Sequence, residues 1–288
     1  MIAPKLSLNK LLTRTRIEFF FAFVTVILLA SHGYASHEDF VDNKKLKLET
    51  IVSNKITPIA KSATTTIPIL LYHKIGNPDL LPIANRHKPT KKFTVREDTF
   101  ETQIKFIVDQ GYTPITVEEL IKEREANTLP PKPIVITFDD GWRSQYENAL
   151  PVLIKYHIPA TFYIYTGVIG SPLYMTWEDL HVLVASGMEI GDHTKSHPRL
   201  TKIDPSNLDE ELVQSKKILE RNLHVSVTDF AYPYGDYNSK ISEAVKNAGY
   251  LSARTSKKGI YNDFKDLYQL NTIYVPNDLQ TLKDLLQK

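Results

Sequence analysis

The chain has 288 residues, of which 42% are hydrophobic and 24% are charged, a composition typical of a globular protein with a sizeable core. Its formal net charge of +2 and pI of about 8.4 do not indicate a nucleic-acid-binding protein, because no dense stripe of Lys and Arg accompanies them. The sequence contains no cysteine, which excludes disulfides, thiolate metal sites, a cysteine nucleophile and an acylated lipoprotein anchor.

Residues 1–35 have the pattern of a signal peptide. A basic segment at residues 5–16 precedes an uninterrupted apolar run at residues 19–30, and the small residues Gly33 and Ala35 follow it. We predict cleavage after Ala35 and export to the periplasm, the cell surface or the exterior. The run is shorter than the ~20 residues that span a bilayer, so no stable membrane span is expected after cleavage. An uncleaved anchor is the alternative.

The next segment, residues 36–66, is polar, mixed in charge and without a clear hydrophobic period. We interpret it as a linker that leads into the folded part of the chain. The predicted folded domain then occupies residues 67–288.

Short apolar runs alternate with helical patterns from residue 67 onward. The strand candidates, in chain order, are residues 67–73, 112–116, 133–138, 159–165, 188–193, 227–233, 251–255 and 268–275. Helical periodicity falls at residues 99–110, 117–124, 146–156, 177–187, 208–223 and 239–248. Strands that alternate with helices favour an α/β fold with a parallel sheet. About seven or eight such units favour a closed barrel, although periodicity alone does not separate a barrel from an open sheet.

Ionisable residues gather where the predicted strands end. His73 ends the first strand, Asp139 and Asp140 follow a later one, and His193 ends another, with His197 shortly after it. Active sites of parallel barrels lie at the C-terminal ends of the strands. We therefore expect these side chains to share one site.

His193 and His197 are four residues apart, a spacing at which two imidazoles can bind one metal ion. Either Asp139 or Asp140 can supply the carboxylate of a His₂-carboxylate site that leaves a position for water. Taken singly, the histidines are equally well explained as surface or packing residues, and Asp-Asp-Gly as a turn. Their combination at strand ends favours the metal site. A serine hydrolase is disfavoured because no Gly-x-Ser-x-Gly motif occurs.

Three segments resemble the successive motifs of the NodB-homology polysaccharide deacetylases, carbohydrate esterase family four. They are Thr-Phe-Asp-Asp-Gly at 137–141, His-Thr-Lys-Ser-His at 193–197 and Tyr-Pro-Tyr-Gly at 232–235. Leu-Leu-Tyr-His-Lys-Ile at 70–75 is similar to the branch that deacetylates poly-β-1,6-N-acetylglucosamine in biofilms. That branch carries its acid histidine near the N-terminus. The resemblance covers residues 67–275 and implies a distorted (β/α)₇ barrel.

The resemblance also implies a role for each motif residue. It implies three ligands for a divalent metal, usually zinc, with cobalt, nickel or manganese as alternatives: Asp140, His193 and His197. Asp139 would be the general base, His73 the acid that protonates the leaving amine, and the backbone N–H of Tyr234 an oxyanion donor. This set suits amide hydrolysis, because a metal lowers the pKa of water towards ~7 and a backbone donor stabilises the oxyanion.

The sequence departs from the family pattern at one catalytic position. Family members often have an arginine that orients the base two residues before the proline of the third motif, where this chain has Ala231. Arg254, which follows a late strand candidate, is a possible substitute. The family's Asp-x-x-Asp-Trp and C-terminal Leu-x-Leu-x-His motifs have no good match, which strengthens the prediction that His73 is the acid. A core position for His73 is the alternative.

Aromatic residues near the motifs are candidates for stacking against sugar rings: Trp177, Tyr232 and Tyr234. The expected partner is a polysaccharide, most directly an N-acetylglucosamine polymer of the envelope or exterior, and no nucleic acid. Peptidoglycan, chitin oligomers and acetylxylan are alternative substrates. A barrel that binds carbohydrate without catalysis is the alternative from another class. The sequence does not indicate the oligomeric state.

Overall fold

The computed structural model describes residues 67–79, 92–259 and 266–287. The predicted signal peptide at 1–35 and the predicted linker at 36–66 lie outside these residues. Among the helices of the described part, none is both long enough and apolar enough to cross a membrane.

The described residues contain ten strands and seven α-helices, besides short 3₁₀-helical and π-helical turns. The strands are β1 Ile69–Tyr72, β2 Lys74–Ile75, β3 Thr94–Val95, β4 Thr113–Ile115, β5 Pro133–Phe138, β6 Thr161–Ile164, β7 Glu189–Asp192, β8 Asp229–Ala231, β9 Ser252–Lys258 and β10 Leu270–Tyr274. The helices are α1 Glu97–Asp109, α2 Val117–Glu125, α3 Leu150–Lys155, α4 Trp177–Ala185, α5 Ser215–Leu223, α6 Ser239–Asn247 and α7 Leu279–Leu286.

Seven of the strands close into a parallel barrel. Strands β5 to β10 pair in chain order, and β1 closes the ring because it pairs with both β10 and β5. Strand β4 pairs with the first residues of β5, and β2 and β3 form a separate two-stranded sheet. The predicted (β/α)₇ barrel is therefore confirmed.

Strands β1 and β5 are buried at every residue, and therefore on both faces, which explains their nearly continuous apolar sequences. Successive side chains point to opposite faces, so alternate residues supply two cores. Leu70, Phe138 and Phe162 belong to the larger core with the helices, whereas Ile69 and Val135 belong to a smaller one.

Two helices start as their sequences dictate. Thr116 caps α2 and Thr176 caps α4, each through a reciprocal capping box with Glu119 and Asp179 respectively. In two other predicted helices, 146–156 and 208–223, a π-helical turn precedes the regular part. The turns are Gln145–Ala149, which starts one residue before the predicted helix, and Glu210–Gln214. π-helical turns are frequent at functional sites, and both of these turns supply a buried polar side chain to the site described below.

Candidate active site

Three predicted metal ligands meet at the C-terminal end of the barrel. One ligand atom each from Asp140, His193 and His197 lies within 4.8 Å of the other two. Asp140 Oδ1 is 3.6 Å from His193 Nε2 and 3.3 Å from His197 Nε2. Ligands held about 2.0–2.1 Å from a tetrahedral zinc ion are separated by about 3.3–3.4 Å, so the spacing fits a divalent metal.

The protonation of the cluster also suits a metal. His193 Nδ1 is 2.6 Å from the Ala231 carbonyl oxygen, which can only accept a hydrogen bond, so Nδ1 carries the proton and Nε2 keeps its lone pair. Burial lowers the pKa of His193 to about 3, which keeps the ring neutral. Burial alone would raise the pKa of Asp140, but a hydrogen bond from His197 and the nearby imidazoles hold it well below its ordinary value.

The loop that carries both histidines is fixed by a buried carboxylate. Glu211 Oε2 accepts hydrogen bonds from the backbone N–H groups of Lys195 at 3.0 Å and Ser196 at 2.9 Å, and Oε1 accepts from Ser196 Oγ at 2.6 Å. Thr194 and His197 both have positive φ, at 70° and 58°. Such a conformation is costly for the β-branched Thr194, and it persists because these bonds hold the loop.

Asp139 lies beside the cluster of Asp140, His193 and His197, and it is paired with an arginine. The guanidinium of Arg254 contacts Asp139 Oδ1, and both side chains are buried. Arg254 is the residue of β9 that stands opposite Ala231 of β8 in the sheet register. The guanidinium that the third motif lacks therefore reaches the same region from the neighbouring strand.

Gln145 joins the two strand ends that carry His73 and Asp139. Its Nε2 donates to the carbonyl oxygens of His73 at 2.8 Å and Asp139 at 2.5 Å. The side chain is fully buried and comes from the first π-helical turn. Sequence reasoning missed this residue, because a lone glutamine in an amphipathic segment carries no motif signal.

His73 occupies an aromatic setting at the end of β1. Its ring lies 5.0 Å from the Phe93 ring and 5.9 Å from the Tyr274 ring. Burial lowers the pKa of His73 to about 4, with the positive charge of Arg254 acting in the same direction and Asp140 opposing it. His73 therefore shares the electrostatic environment of the carboxylates and is neutral near neutral pH.

Tyr234 stands at the edge of the cluster on the loop after β8. Its ring is 55% exposed and lies 4.6 Å from the His197 ring, with the Arg199 guanidinium 4.5 Å from its centroid. Tyr234 has a φ of 58° and is followed by Gly235, also with positive φ. A Cβ at Gly235 would overlap the backbone nitrogen and hydroxyl of Ser256, so this tight turn requires glycine.

The aromatic residues around the cluster only partly match the prediction. Tyr174 and Tyr165 are partly buried near His197, whose ring is 5.3 Å from that of Tyr165. The predicted groove position of Tyr232 is wrong, because its side chain is 2% exposed and its ring belongs to the core. Trp177 also packs against the hydrophobic core, at the start of α4.

Trp142 is the aromatic residue that sequence reasoning missed. Its indole Nε1 donates a hydrogen bond of 2.8 Å to Asp140 Oδ2, and its ring stacks on Tyr174. Its position two residues after Asp140 was the available signal. The chain's two tryptophans thus have different surroundings, because Trp142 contacts the metal ligand candidate Asp140 and Trp177 packs on the hydrophobic core.

A parallel barrel that presents two imidazoles and a carboxylate at its C-terminal end, beside a second carboxylate, has the architecture of a metal-dependent hydrolase. A model of the polysaccharide deacetylase family matches residues 126–253. The chain is 30% identical over 210 residues to YxkH of Bacillus subtilis, a candidate polysaccharide deacetylase, covering 73% of this chain and 71% of YxkH. The chain belongs to the polysaccharide deacetylase family and has the fold and class of an enzyme of that family.

Other relatives agree with this assignment. The poly-β-1,6-N-acetyl-D-glucosamine N-deacetylase of Staphylococcus epidermidis is 28% identical over 255 residues, covering 82% of this chain and 83% of the relative. The solved structure of the Streptococcus pyogenes deacetylase PplD in complex with acetate has 29% identity and a TM-score of 0.71, covering 78% of this chain and 99% of that chain. IcaB from Ammonifex degensii, at 23% identity and a TM-score of 0.65, shares the fold.

Proposed function

We propose that this enzyme removes N-acetyl groups from a polymer of β-1,6-linked N-acetylglucosamine in the cell envelope or the exterior. The observation that carries the proposal is the contact of Asp139 with Arg254 beside the Asp140, His193 and His197 cluster. Together these residues supply a base and a metal site at the C-terminal end of the barrel. The Staphylococcus epidermidis relative is a poly-β-1,6-N-acetyl-D-glucosamine N-deacetylase, and this likeness and the histidine that follows β1 support this polymer.

Asp139 acts as the general base. A divalent metal held by Asp140, His193 and His197 would activate water and polarise the acetyl carbonyl. Asp139 takes the proton of the attacking water, and its carboxylate stays ionised and oriented because Arg254 holds Oδ1. Arg254 thus orients the base, the role that the motif arginine would have at the position of Ala231.

His73 acts as the acid towards the leaving amine. Its pKa of about 4 means that the resting imidazole is neutral. Negative charge that develops on the acetyl group opposes the effect of burial, so His73 gains a proton from solvent as the tetrahedral state forms. It then passes this proton to the nitrogen as the C–N bond breaks, releasing the free amine.

Tyr234 contributes in two ways. Its backbone N–H donates to the oxyanion of the tetrahedral state, a contribution typically worth about 3 kcal/mol. Its exposed ring, with those of Tyr165 and Tyr174, forms an aromatic wall on which sugar rings stack. Tyr232 and Trp177 have no part in this wall.

Two further parts of the proposal are the identity of the metal and the location of the enzyme. We propose zinc as the metal, because two imidazoles and one carboxylate are ligands that zinc accepts. We also propose export through the signal peptide at residues 1–35, which would bring the enzyme to a periplasmic, surface or secreted polymer. A role in biofilm formation would follow from that substrate.

The choice of polymer is tested by acetate release from a panel of substrates. We expect the highest kcat/KM with oligomers of β-1,6-linked N-acetylglucosamine, and a lower value with chitin oligomers of equal length, which differ only in linkage. Peptidoglycan and acetylxylan complete the panel. An equal or higher kcat/KM with any other substrate would reject the proposed polymer. No release from any of them, with zinc bound, would indicate a carbohydrate-binding protein.

A further inference from the structure

The indole of Trp142 is held between two neighbours. The Tyr174 ring stacks on it with centroids 4.3 Å apart and an interplanar angle of 24°. The Lys74 Nζ lies 3.6 Å from the indole centroid. Both groups cannot occupy one face at these distances, so the ammonium covers the opposite face. The ring is therefore held on both faces, and these two contacts fix the direction of its only polar atom, Nε1.

The backbone locks this sandwich in place. Met175 N–H donates to the Gly141 carbonyl at 3.0 Å, and Arg143 N–H donates to the Leu173 carbonyl at 2.8 Å. These bonds flank Trp142 and Tyr174, which form an antiparallel bridge. On the other side, Lys74 belongs to β2, whose pairing with β3 fixes its backbone.

The indole N–H separates the two oxygens of Asp140. Oδ2 accepts the 2.8 Å hydrogen bond from Trp142 Nε1, whereas Oδ1 faces the Nε2 atoms of His193 and His197. The carboxylate is thereby presented to the metal position through a single oxygen. Partners of this kind fix the orientation of a ligand and tune its basicity.

We infer that Trp142 is a positioning residue that orients Asp140 as a one-oxygen metal ligand and thereby sets the affinity for the divalent metal, with Lys74 strengthening its N–H as a donor. The inference rests on the proposed metal site and not on the choice of polymer. No part of the motif resemblance assigns a role to Trp142.

The position of Lys74 supports its part in the inference. Its side chain is 7% exposed, and within the described residues its ammonium makes no hydrogen bond and no ion pair within 4.0 Å. A cation over the face of an indole is attracted by the ring's π electrons and draws electron density away from the N–H. The donor facing Asp140 becomes stronger as a result.

The direct test is the zinc affinity of the purified protein, measured by competition with a chromogenic chelator. Trp142→Phe keeps an aromatic ring between Lys74 and Tyr174 but removes the N–H, so we expect zinc binding to weaken by about 10-fold to 100-fold. Trp177→Phe is the matched control, because it removes the tryptophan that packs on the core, and it should keep the wild-type zinc affinity. Zinc affinity of Trp142→Phe within about twofold of wild type would overturn the inference.

A double-mutant cycle separates positioning from general damage. In an Asp140→Ala background the carboxylate is gone, so Trp142→Phe should cause no further loss of zinc affinity. The same loss in both backgrounds would overturn the inference. If Trp142→Phe lowers the melting temperature of the metal-free protein, Lys74→Met decides instead: a smaller weakening of zinc binding supports the inference, and none overturns it.

Acetate release is recorded on the same samples as a separate quantity. A wild-type protein that binds zinc but releases no acetate contradicts the proposed function, and the zinc affinities still decide the role of Trp142. A wild-type protein that binds no zinc contradicts both.

Discussion

The two ends of the barrel carry two polar clusters whose acidic side chains have different partners. At the C-terminal end, Asp139 contacts Arg254, and Asp140 lies among imidazoles. At the N-terminal end, the first residues of four consecutive strands gather side chains that include two acids and two hydroxyls: Thr161, Glu189, Asp229 and Ser252. The same strands therefore support both clusters.

The difference lies in the partners of the acids. Glu189 accepts a hydrogen bond of 2.7 Å from Thr161 Oγ1, and Asp229 accepts a hydrogen bond from the Ser252 hydroxyl. Neither acid has an ion-pair partner within 4.0 Å among the described residues. Burial, with the negative charge of Asp229, raises the pKa of Glu189 well above its ordinary value. In this molecule the acids of the C-terminal cluster have cations or imidazoles as partners, whereas burial favours the neutral form of Glu189.

Neutralising Asp139 should have the largest effect on the C-terminal cluster. Asp139→Asn removes the base, so we expect kcat to fall by about 10²-fold to 10⁴-fold while zinc affinity stays close to wild type. Asp140→Asn is the matched contrast, because it removes a ligand and should weaken zinc binding as well. Steady-state acetate release and chelator competition measure the two effects. Retained turnover in Asp139→Asn would reject the assignment of the base.

Arg254 tests whether the cation is what distinguishes the C-terminal cluster. Arg254→Met leaves the Asp139 carboxylate buried and unpaired, a change that costs about 3–5 kcal/mol of stability in comparable pairs. We expect lower kcat and an acidic limb of the pH–rate profile displaced to higher pH, because the carboxylate loses the charge that favours its ionised form. Arg254→Lys keeps the charge and should restore part of both. An unchanged acidic limb in Arg254→Met would show that the ion pair does not tune the base.

The smallest expected effect concerns Glu189 in the N-terminal cluster. The pKa of Glu189 in the folded protein is raised above the unfolded value of 4.5. Its contribution to the free energy of unfolding is therefore fully present below pH 4.5 and is lost as pH rises through the folded pKa. Glu189→Gln removes that loss. We expect its melting temperature to exceed wild type by about 3 °C at alkaline pH, with the gap closing at acidic pH.

The exposed Glu243→Gln on α6 is the matched control for this change and should leave the pH dependence of the melting temperature unaltered. A melting temperature of Glu189→Gln that stays parallel to wild type at every pH would contradict the account of the N-terminal cluster.

The sequence predicted the parts of the molecule that are encoded locally. Continuous apolar runs marked β1 and β5, and Thr176 marked the start of α4, because strand burial and helix capping depend on adjacent residues. The motif residues were expected to meet because they follow parallel strands, and the structure brings Asp140, His193 and His197 together.

The residues that sequence reasoning missed act across elements that are far apart in the chain. Gln145 joins the ends of β1 and β5, and Glu211 holds the loop of His193 and His197, each through hydrogen bonds that periodicity cannot reveal. Tyr232 was misplaced for the same reason, since only packing decides which tyrosine near a motif is exposed. Arg254 was named from its position after a late strand, but its pairing with Asp139 depends on sheet register.

The most direct test of the account is acetate release from β-1,6-linked N-acetylglucosamine oligomers by the purified protein, before chelation, after chelation and after zinc is restored. The account predicts release that chelation abolishes and zinc restores, with release by Asp139→Asn slower by about 10²-fold or more. Release that survives complete removal of metal, or that proceeds at the wild-type rate in Asp139→Asn, would contradict a reaction carried by the cluster at the C-terminal end of the barrel.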